Sequence, residues 1–528
     1  MNTQSVNRRR GDDDDDASAT SMDRLSQLPQ PIWHSILSLL PQKDAVRTSV
    51  LSKSWRYLWH GRFNVEFRDN CFARKKEFWS FLDNTLQRYH DQNLTLHQFT
   101  FNVRSVFDFT LLQKWIPVVI TNMRVRSLNL IVYCGSIVFP LPFIVFQSEF
   151  LVELHLEGRN LKIPEFTENV MLKLNNLRTL RLHYVDITDE IFEKIISGCP
   201  LIENLSLLHC IGLKYIRLHK HHNIKDFVCS VLGQIVIEFE DPHVLESLYI
   251  QNCCYNWFLI LPHKNIHFPH LKSLELYRVQ LPAETFNYFS SFFPCLKELR
   301  LDLCEGLEEF RLLSSSIKRL IIKMYLKNSI KAFIDTPNIV YFEYYHGTQP
   351  FLPSIEFAKT SNEWKSKITV WYTLKRLDND AISWFVTLNK LLKGLIQSHI
   401  TLTLLHNEYK KLDINDSFEG FCQPIVVEHL KLWDNFSNSS DPDLLNCFFR
   451  ICRPRYIHMN LMYEDEGAKC EKVHNLVEFM SKLIPNEIIG SYFWLKDLVG
   501  IEVQDKKSKE WKIVEETICY RLTWREQL

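Results

Sequence analysis

A hexapeptide pattern, L-x-x-L-x-L with aliphatic substitutions, recurs through the middle of this 528-residue chain and constrains its fold more than any other feature. It appears as VRSLNL, LVELHL, LRTLRL, IENLSL, LESLYI, LKSLEL, LKELRL and IKRLII, with central leucines at Leu128, Leu154, Leu180, Leu205, Leu248, Leu274, Leu299 and Leu320. The gaps between them are 26, 26, 25, 43, 26, 25 and 21 residues, and the 43 divides into 22 and 21 if IKDFVC, centred on Phe227, is a degenerate unit. A unit of that length cannot bury its own apolar side. Neighbouring units must therefore stack and share one continuous core.

The pattern and its period are those of leucine-rich repeats. Each unit then contributes one strand to a parallel inner sheet, with helix or irregular chain outside, and the stack is expected to curve. Three units run on to L-x-x-L-x-L-x-x-C, which puts Cys210, Cys253 and Cys304 at one equivalent position as buried structural thiols rather than reactive or metal-binding ones. A longer duplication supports the register. Shifting by 94 residues superposes SGCPLIENLSLLHCIGLKYIRL, from Ser197, on SFFPCLKELRLDLCEGLEEFRL, from Ser291, with nine identities in 22 positions, including Cys210/Cys304 and Gly212/Gly306. Before the two copies, DEIFEKIIS and AETFNYFSS have the periodicity of outer helices. Side chains alternate along a strand, so residues between and beside the leucines face outward. They include Glu153, His155, Glu157, Thr179, Arg181, His183, Ser247, Tyr249, Gln251, Ser273, Glu275, Tyr277, Glu298, Arg300 and Asp302. His155, Arg181, His183, Tyr249, Tyr277 and Arg300 are the candidate contacts to a target protein.

Several function classes drop out on composition. Lys plus Arg and Asp plus Glu both total 62, so no global field draws the chain to nucleic acid or anionic lipid. Only 14 glycines are present, without a G-x-G-x-x-G or a G-x-x-x-x-G-K-[ST], which argues against a phosphate-cradling loop. The 14 cysteines include no C-x-x-C pair, and residues 1–16 lack the apolar core of a signal peptide, so reduced thiols and a cytoplasmic or nuclear location are expected. No apolar run reaches membrane-spanning length. HKHH, with His219, His221 and His222, reads as a surface turn because no zinc-type partner spacing lies nearby, and Cys253–Cys254 do not suit an unstrained disulfide. No hydrolase, zincin or kinase motif is present. Catalytic residues, cofactors and metal ligands are accordingly expected to be absent.

The N-terminal 22 residues carry five consecutive aspartates and three consecutive arginines with little apolar surface, the composition of a disordered acidic tail. The pattern changes abruptly after it. In LPQPIWHSILSLLPQKDAVRTSVLSKSWRYLWH, residues 28–60, Ile32, Trp33, Ile36, Leu37, Leu39 and Leu40 cover an arc of roughly 160° on a helix, wider than one small core needs. Pro29 and Pro31 precede this helix and Pro41 ends it. A second helix over KDAVRTSVLS and a third after Ser52, with Trp55, Leu58 and Trp59, complete the segment. Three helices in about 35 residues fall below the size at which a domain folds unaided. They must lean either on the rest of the chain or on another protein.

The same stretch resembles the F-box of the plant F-box/leucine-rich-repeat family, following its L-P, I-x-x-x-I-L-S-x-L-P, K-D-A-V-R-T-S-V-L-S-K and W-R-x-L-W pattern nearly position by position. The resemblance implies a module that binds the Skp-type adaptor of a Skp–cullin–F-box ubiquitin ligase. The adaptor-facing role it carries over falls on Leu28, Pro29, Ile32, Ile36, Leu40, Pro41, Val46, Val50, Leu51 and Trp55. Gln30 and Pro31 depart from the acidic residue that relatives commonly carry after L-P. The expected organisation is a tail over 1–22, an F-box over 23–62, a linker over 63–120, a repeat solenoid over 121–345 and an unassigned repeat-like extension over 346–528. The fold class is α/β, an N-terminal three-helix F-box followed by a curved leucine-rich-repeat solenoid with a parallel inner sheet.

The function the resemblance implies is that of a non-catalytic, substrate-recognition subunit. Its partners are the Skp-type adaptor, through it a cullin and a ring-box protein, and a protein substrate, with no nucleic acid and no membrane. The alternative is a non-degradative repeat protein whose F-box is weakened, with Gln30 and Pro31 as the hint. A third reading, a solenoid that binds a small ligand to complete its target surface, meets few clustered basic residues that would hold an inositol phosphate.

Overall fold

The structure is a computed structural model that describes residues 28–40, 42–50, 63–72, 74–104, 110–133, 138–166, 172–218, 223–233, 235–253, 267–281, 286, 288–324, 330–347, 352–360, 363–372, 381–406, 423–433, 442–460, 497–503 and 517–524. The acidic tail, the third helix expected after Ser52, the HKHH turn and Cys254 lie outside the described residues. The chain divides into two compact units, residues 1–129 and 130–528.

In the first unit, helix α1 spans Gln30–Leu39, with Pro29 as its N-cap and Pro31 in its first turn. A proline there loses no bond, because the first N–H groups of a helix have no intrahelical acceptor. Leu40 is extended, at φ −85° and ψ 144°. That is the conformation Pro41 imposes on the residue before it, so the helix stops. Helix α2 spans Gln42–Arg47 and runs into a short 3-10 turn, Thr48–Val50, where the Thr48 hydroxyl donates to the Ala45 carbonyl at 2.6 Å.

The stretch expected as a linker has a core of its own. Strands Asn64–Arg68 and Gln98–Val103 pair in parallel. The helix Lys75–Asp91 buries Phe78, Leu82, Leu86 and Tyr89, at helical spacing, and Thr110–Thr121 buries Leu112, Trp115, Ile116, Val119 and Ile120. Rings tie the layers together, with Phe67–Phe99 centroids at 5.9 Å and Phe78–Phe101 at 6.3 Å. Asp83 joins the two helices by accepting from the Trp115 indole at 2.7 Å and from Lys114 at 3.0 Å.

The second unit is built on the repeats. Strands Glu153–Glu157, Thr179–His183, Asn204–Cys210, Asp226–Val231, Ser247–Asn252, Ser273–Tyr277, Glu298–Asp302 and Arg319–Met324 pair in parallel, one per unit. Register aligns Leu154, Leu180, Leu205, Phe227, Leu248, Leu274, Leu299 and Leu320 in one row. Phe227 thus occupies a leucine position, and IKDFVC is a full repeat. Each turn is joined to the next by one carbonyl that accepts two N–H groups. Arg178 takes Glu203 and Asn204 at 2.8 and 2.9 Å, and Glu246, Lys272, Lys297 and Lys318 do the same one unit on each time.

The sheet does not end near residue 345. Tyr341–His346, Trp364–Tyr372, Ser398–His406, Ile425–Trp433 and Cys452–Asn460 extend it in parallel, and Thr517–Trp524 then adds antiparallel. A second inward row, two residues on from the first, runs from Leu156 through Leu182, Leu207, Cys229, Ile250, Leu276, Leu301 and Ile322, and Tyr344, Ile368, Leu402, Leu430 and Ile457 continue it, these last five at spacings of 24, 34, 28 and 27 residues. The expected amphipathic helix is present as Ala381–Lys393. It buries Trp384, Phe385, Leu388, Leu391 and Leu392, and meets the helix Pro442–Ile451 through Phe385–Phe448 at 5.1 Å.

Four turns share a device that accounts for two of the cysteines. Tyr184, His209, Arg278 and Leu303, each four residues past a row leucine, are left-handed at φ 53–57°. The next residues, Val185, Cys210, Val279 and Cys304, are swung inward and buried. The Cys210 thiol donates to the Leu182 carbonyl at 3.1 Å and Cys304 to Leu276 at 3.4 Å. Cys253 departs from the expected equivalence. Asn252 is not left-handed and takes the buried place itself, so Cys253 stays half-buried, 3.3 Å from the Ser230 hydroxyl. Two residues after Cys210 and Cys304 stand Gly212 and Gly306, at φ +96° and +81°. A Cβ on Gly306 would lie 2.0 Å from the Leu281 carbonyl oxygen, which is why both copies of the duplication need glycine.

A labelling experiment tests this burial. Cys199, Cys210, Cys304 and Cys452 are buried, and burial pushes each thiol up to about 12, whereas Cys71 and Cys295 are exposed. A thiol reagent near neutral pH should modify Cys71 and Cys295 in the folded chain and the buried four only after unfolding, as read by peptide mapping. Native-rate modification of Cys210 or Cys304 contradicts the inward turn.

Candidate functional site

Two surfaces carry the residues singled out from the sequence. The first surrounds α1 and α2. Leu37 and Ala45 are fully buried against each other, with Trp33 and Leu40 packed on them, and this small cluster joins the two helices. Ile32, Leu39 and Val50 point away from it, at 45%, 84% and 85% exposed. Of the predicted adaptor contacts, Pro29 is exposed, Leu28 and Ile36 are half-buried, and Leu40 is turned partly inward. Val46 lies in α2 without a described side chain, and Pro41, Leu51 and Trp55 lie outside the described residues. Leu39 is not among the predicted contacts, yet it is one of the most exposed apolar residues of the segment. Its place on the apolar arc was legible, but its direction relative to Leu37 was not. Pro31, the hint for a weakened module, sits in the first turn of α1 without disturbing it.

The second surface is the open face of the parallel sheet. Alternation leaves His155, His183, Tyr249, Tyr277 and Arg300 half-buried there and Arg181 exposed. They do not form one patch. Tyr249, Tyr277 and Arg300 stand on three consecutive strands, with Tyr249 beside Glu275, Glu275 beside Arg300 and Tyr277 beside Asp302. Asp302, expected to be exposed, is fully buried, because Arg300 folds over it at 3.3 Å and over the Tyr277 ring at 5.9 Å. Burial, and after it Asp302, raises the Tyr277 hydroxyl above the usual phenol value. Arg300 is therefore committed largely to this chain. Farther along, Tyr341 donates to Glu343 at 2.8 Å, Lys367 binds the same carboxylate at 3.2 Å, and Arg319 stacks on Tyr341 at 4.5 Å.

His155 and His183 belong to a separate cluster on the same face. Their rings meet with His155 Nε2 3.2 Å from His183 Nδ1, beside Glu157. Spacing along the chain gave no signal for this meeting, since the two histidines are 28 residues apart and only cross-strand register brings them together.

Comparison with known proteins follows the same division. The family model of the F-box domain matches residues 25–64, and the model described as FBD-associated F-box protein At5g56370, LRR repeats, matches residues 112–257. The chain is 34% identical over 202 residues to F-box/LRR-repeat protein At3g59200 of Arabidopsis thaliana, a match covering 36% of this chain and 37% of that protein. It is 32% identical over 208 residues to F-box/LRR-repeat protein 25 of the same plant, covering 38% of this chain and 73% of the relative. With Putative F-box/LRR-repeat protein At5g02930, also of Arabidopsis thaliana, identity is 29% over 203 residues, 38% of this chain and 40% of the relative. The chain thus spans under half the length of two of these relatives and about three quarters of the third.

Proposed function

The chain belongs to the F-box/leucine-rich-repeat family of plants, and from that membership we propose that it is the substrate-recognition subunit of a Skp–cullin–F-box ubiquitin ligase. In this reading α1, α2 and the residues after them dock on a Skp-type adaptor, which links the chain to a cullin and a ring-box protein. The open sheet face holds a target protein. The chain makes and breaks no bond itself; it raises the concentration of the target beside the ubiquitin-carrying enzyme. Its place of work in this reading is the cytoplasm, the nucleus or both. No described helix is long and apolar enough to cross a membrane.

One observation carries the proposal. Within the F-box match, Ile32, Leu39 and Val50 are exposed apolar residues beside a cluster in which, among the described residues, Leu37 and Ala45 are fully buried. Covering such residues contributes about 1.5–3 kcal/mol each before association costs, so a partner that covers all three gains several kcal/mol. Deleting residues 23–60 separates the two roles. Proximity labelling should then lose the adaptor, cullin and ring-box protein while the set of captured targets is unchanged. Retention of the adaptor, or loss of both sets together, overturns the division of labour.

A further inference from the structure

The cluster on the open face of the first repeats is built as a ligand set. His155 Nε2 lies 3.2 Å from His183 Nδ1 and 3.3 Å from Glu157 Oε2, and His183 Nδ1 is 3.8 Å from that same oxygen. The three side chains are 16%, 15% and 21% exposed, so the atoms that meet are sheltered but reachable from the sheet face. We propose that His155, Glu157 and His183 form a binding site for a divalent transition-metal ion of the zinc type, with a fourth position open to the face.

The distances are those of a coordination polyhedron. A tetrahedral ion with bonds of about 2.0–2.1 Å needs its ligand atoms about 3.3–3.4 Å apart. Two edges of the triangle already match to within about 0.2 Å, and the third closes with a shift of about 0.4 Å. Partners behind the ligands aim them. The Ser206 hydroxyl lies 3.0 Å from His183 Nε2, where it can hold that N–H and leave the Nδ1 lone pair facing the cluster. The Tyr133 hydroxyl donates to Glu157 Oε1, which leaves Oε2 for the ion.

Two imidazoles and one carboxylate suit Zn²⁺, Co²⁺, Ni²⁺ or Cu²⁺ rather than Ca²⁺ or Mg²⁺, which take oxygen ligands. Arg181, beside His155 in register, opposes a cation, but its side chain is exposed and screened by water. A second histidine pair on this face, His429 Nδ1 and His458 Nε2 at 2.9 Å, gathers no third donor among the described residues and serves as an internal control.

The test needs only the full chain, freed of metal by a chelator and titrated with Co²⁺. It is independent of the ligase reading, since no adaptor or target takes part. The intense visible bands of a four-coordinate Co²⁺ site should rise to saturation at one equivalent and disappear on adding Zn²⁺. His183→Ala and His155→Ala should abolish them. Glu157→Gln, which keeps the shape, should weaken the site, and Ser206→Ala should weaken it about ten- to a hundredfold. His429→Ala should leave it unchanged. Absence of the bands in the parent chain overturns the proposal, as does undiminished binding in a folded His183→Ala or Glu157→Gln variant. Either result leaves a hydrogen-bonded histidine pair and no metal site.

Discussion

Ile32→Asp combined with Val50→Asp is expected to abolish co-elution of the chain with a plant Skp-type adaptor while leaving its helical signal intact. Both residues are exposed and neither belongs to the Leu37–Ala45 cluster, so the module keeps its own packing. Covering each apolar side chain contributes about 1.5–3 kcal/mol, and the pair together corresponds to more than about a hundredfold in affinity. A carboxylate pressed into an apolar contact adds its own desolvation cost. Co-expression and size-exclusion of parent and variant read the result directly. Undiminished co-elution of the double variant rejects docking through this face. A folded parent chain that fails to co-elute rejects the adaptor reading altogether.

The second large effect contrasts two adjacent residues. Leu276 is 1% exposed and sits between Ile250 and Leu301 in the second inward row. Glu275 is on the open face, 39% exposed. Leu276→Ala should cost about 2–5 kcal/mol, because the shared core of neighbouring repeats cannot collapse onto the hole. Glu275→Ala should stay within about 0.5 kcal/mol, since its pairing with Arg300 is long, at 3.9 Å, and solvent-screened. Denaturation midpoints of the two variants measure the difference. Equal effects would mean that the strand does not alternate as described, for a one-residue slip exchanges the two faces.

The legible part of the fold was the part whose signal is periodic. Leucines 21–26 residues apart predicted a parallel row, and the structure aligns Leu154 through Leu320 in it, with Phe227 in the gap. From Tyr344 onward the units lengthen and inward positions pass to Tyr344, Trp364, Ile368 and Val370, which are buried as fully as the leucines. The pattern of residue types faded there while the pattern of burial did not. Composition at an inward position is free as long as the side chain fills it, so a motif defined by leucine underestimates the sheet. Cys253 shows the converse. Its spacing matched Cys210 and Cys304, but without a left-handed residue before it the side chain is not turned inward.

The apolar arc of the opening stretch was likewise readable, whereas its division into a Leu37–Ala45 cluster and an outward Ile32, Leu39 and Val50 depended on how α1 and α2 cross. The open face was readable as a set of columns and unreadable as a surface. Asp302 is buried because Arg300 closes over it. His155, Glu157 and His183 meet because parallel register brings side chains from successive strands within reach. By itself, then, the sequence determined the repeat, its inward row and the identity of the N-terminal module, because each is written in local spacing. Only the tertiary structure decided where the sheet continues, which apolar residues remain uncovered and which polar ones converge, because those depend on contacts between strands far apart in the chain.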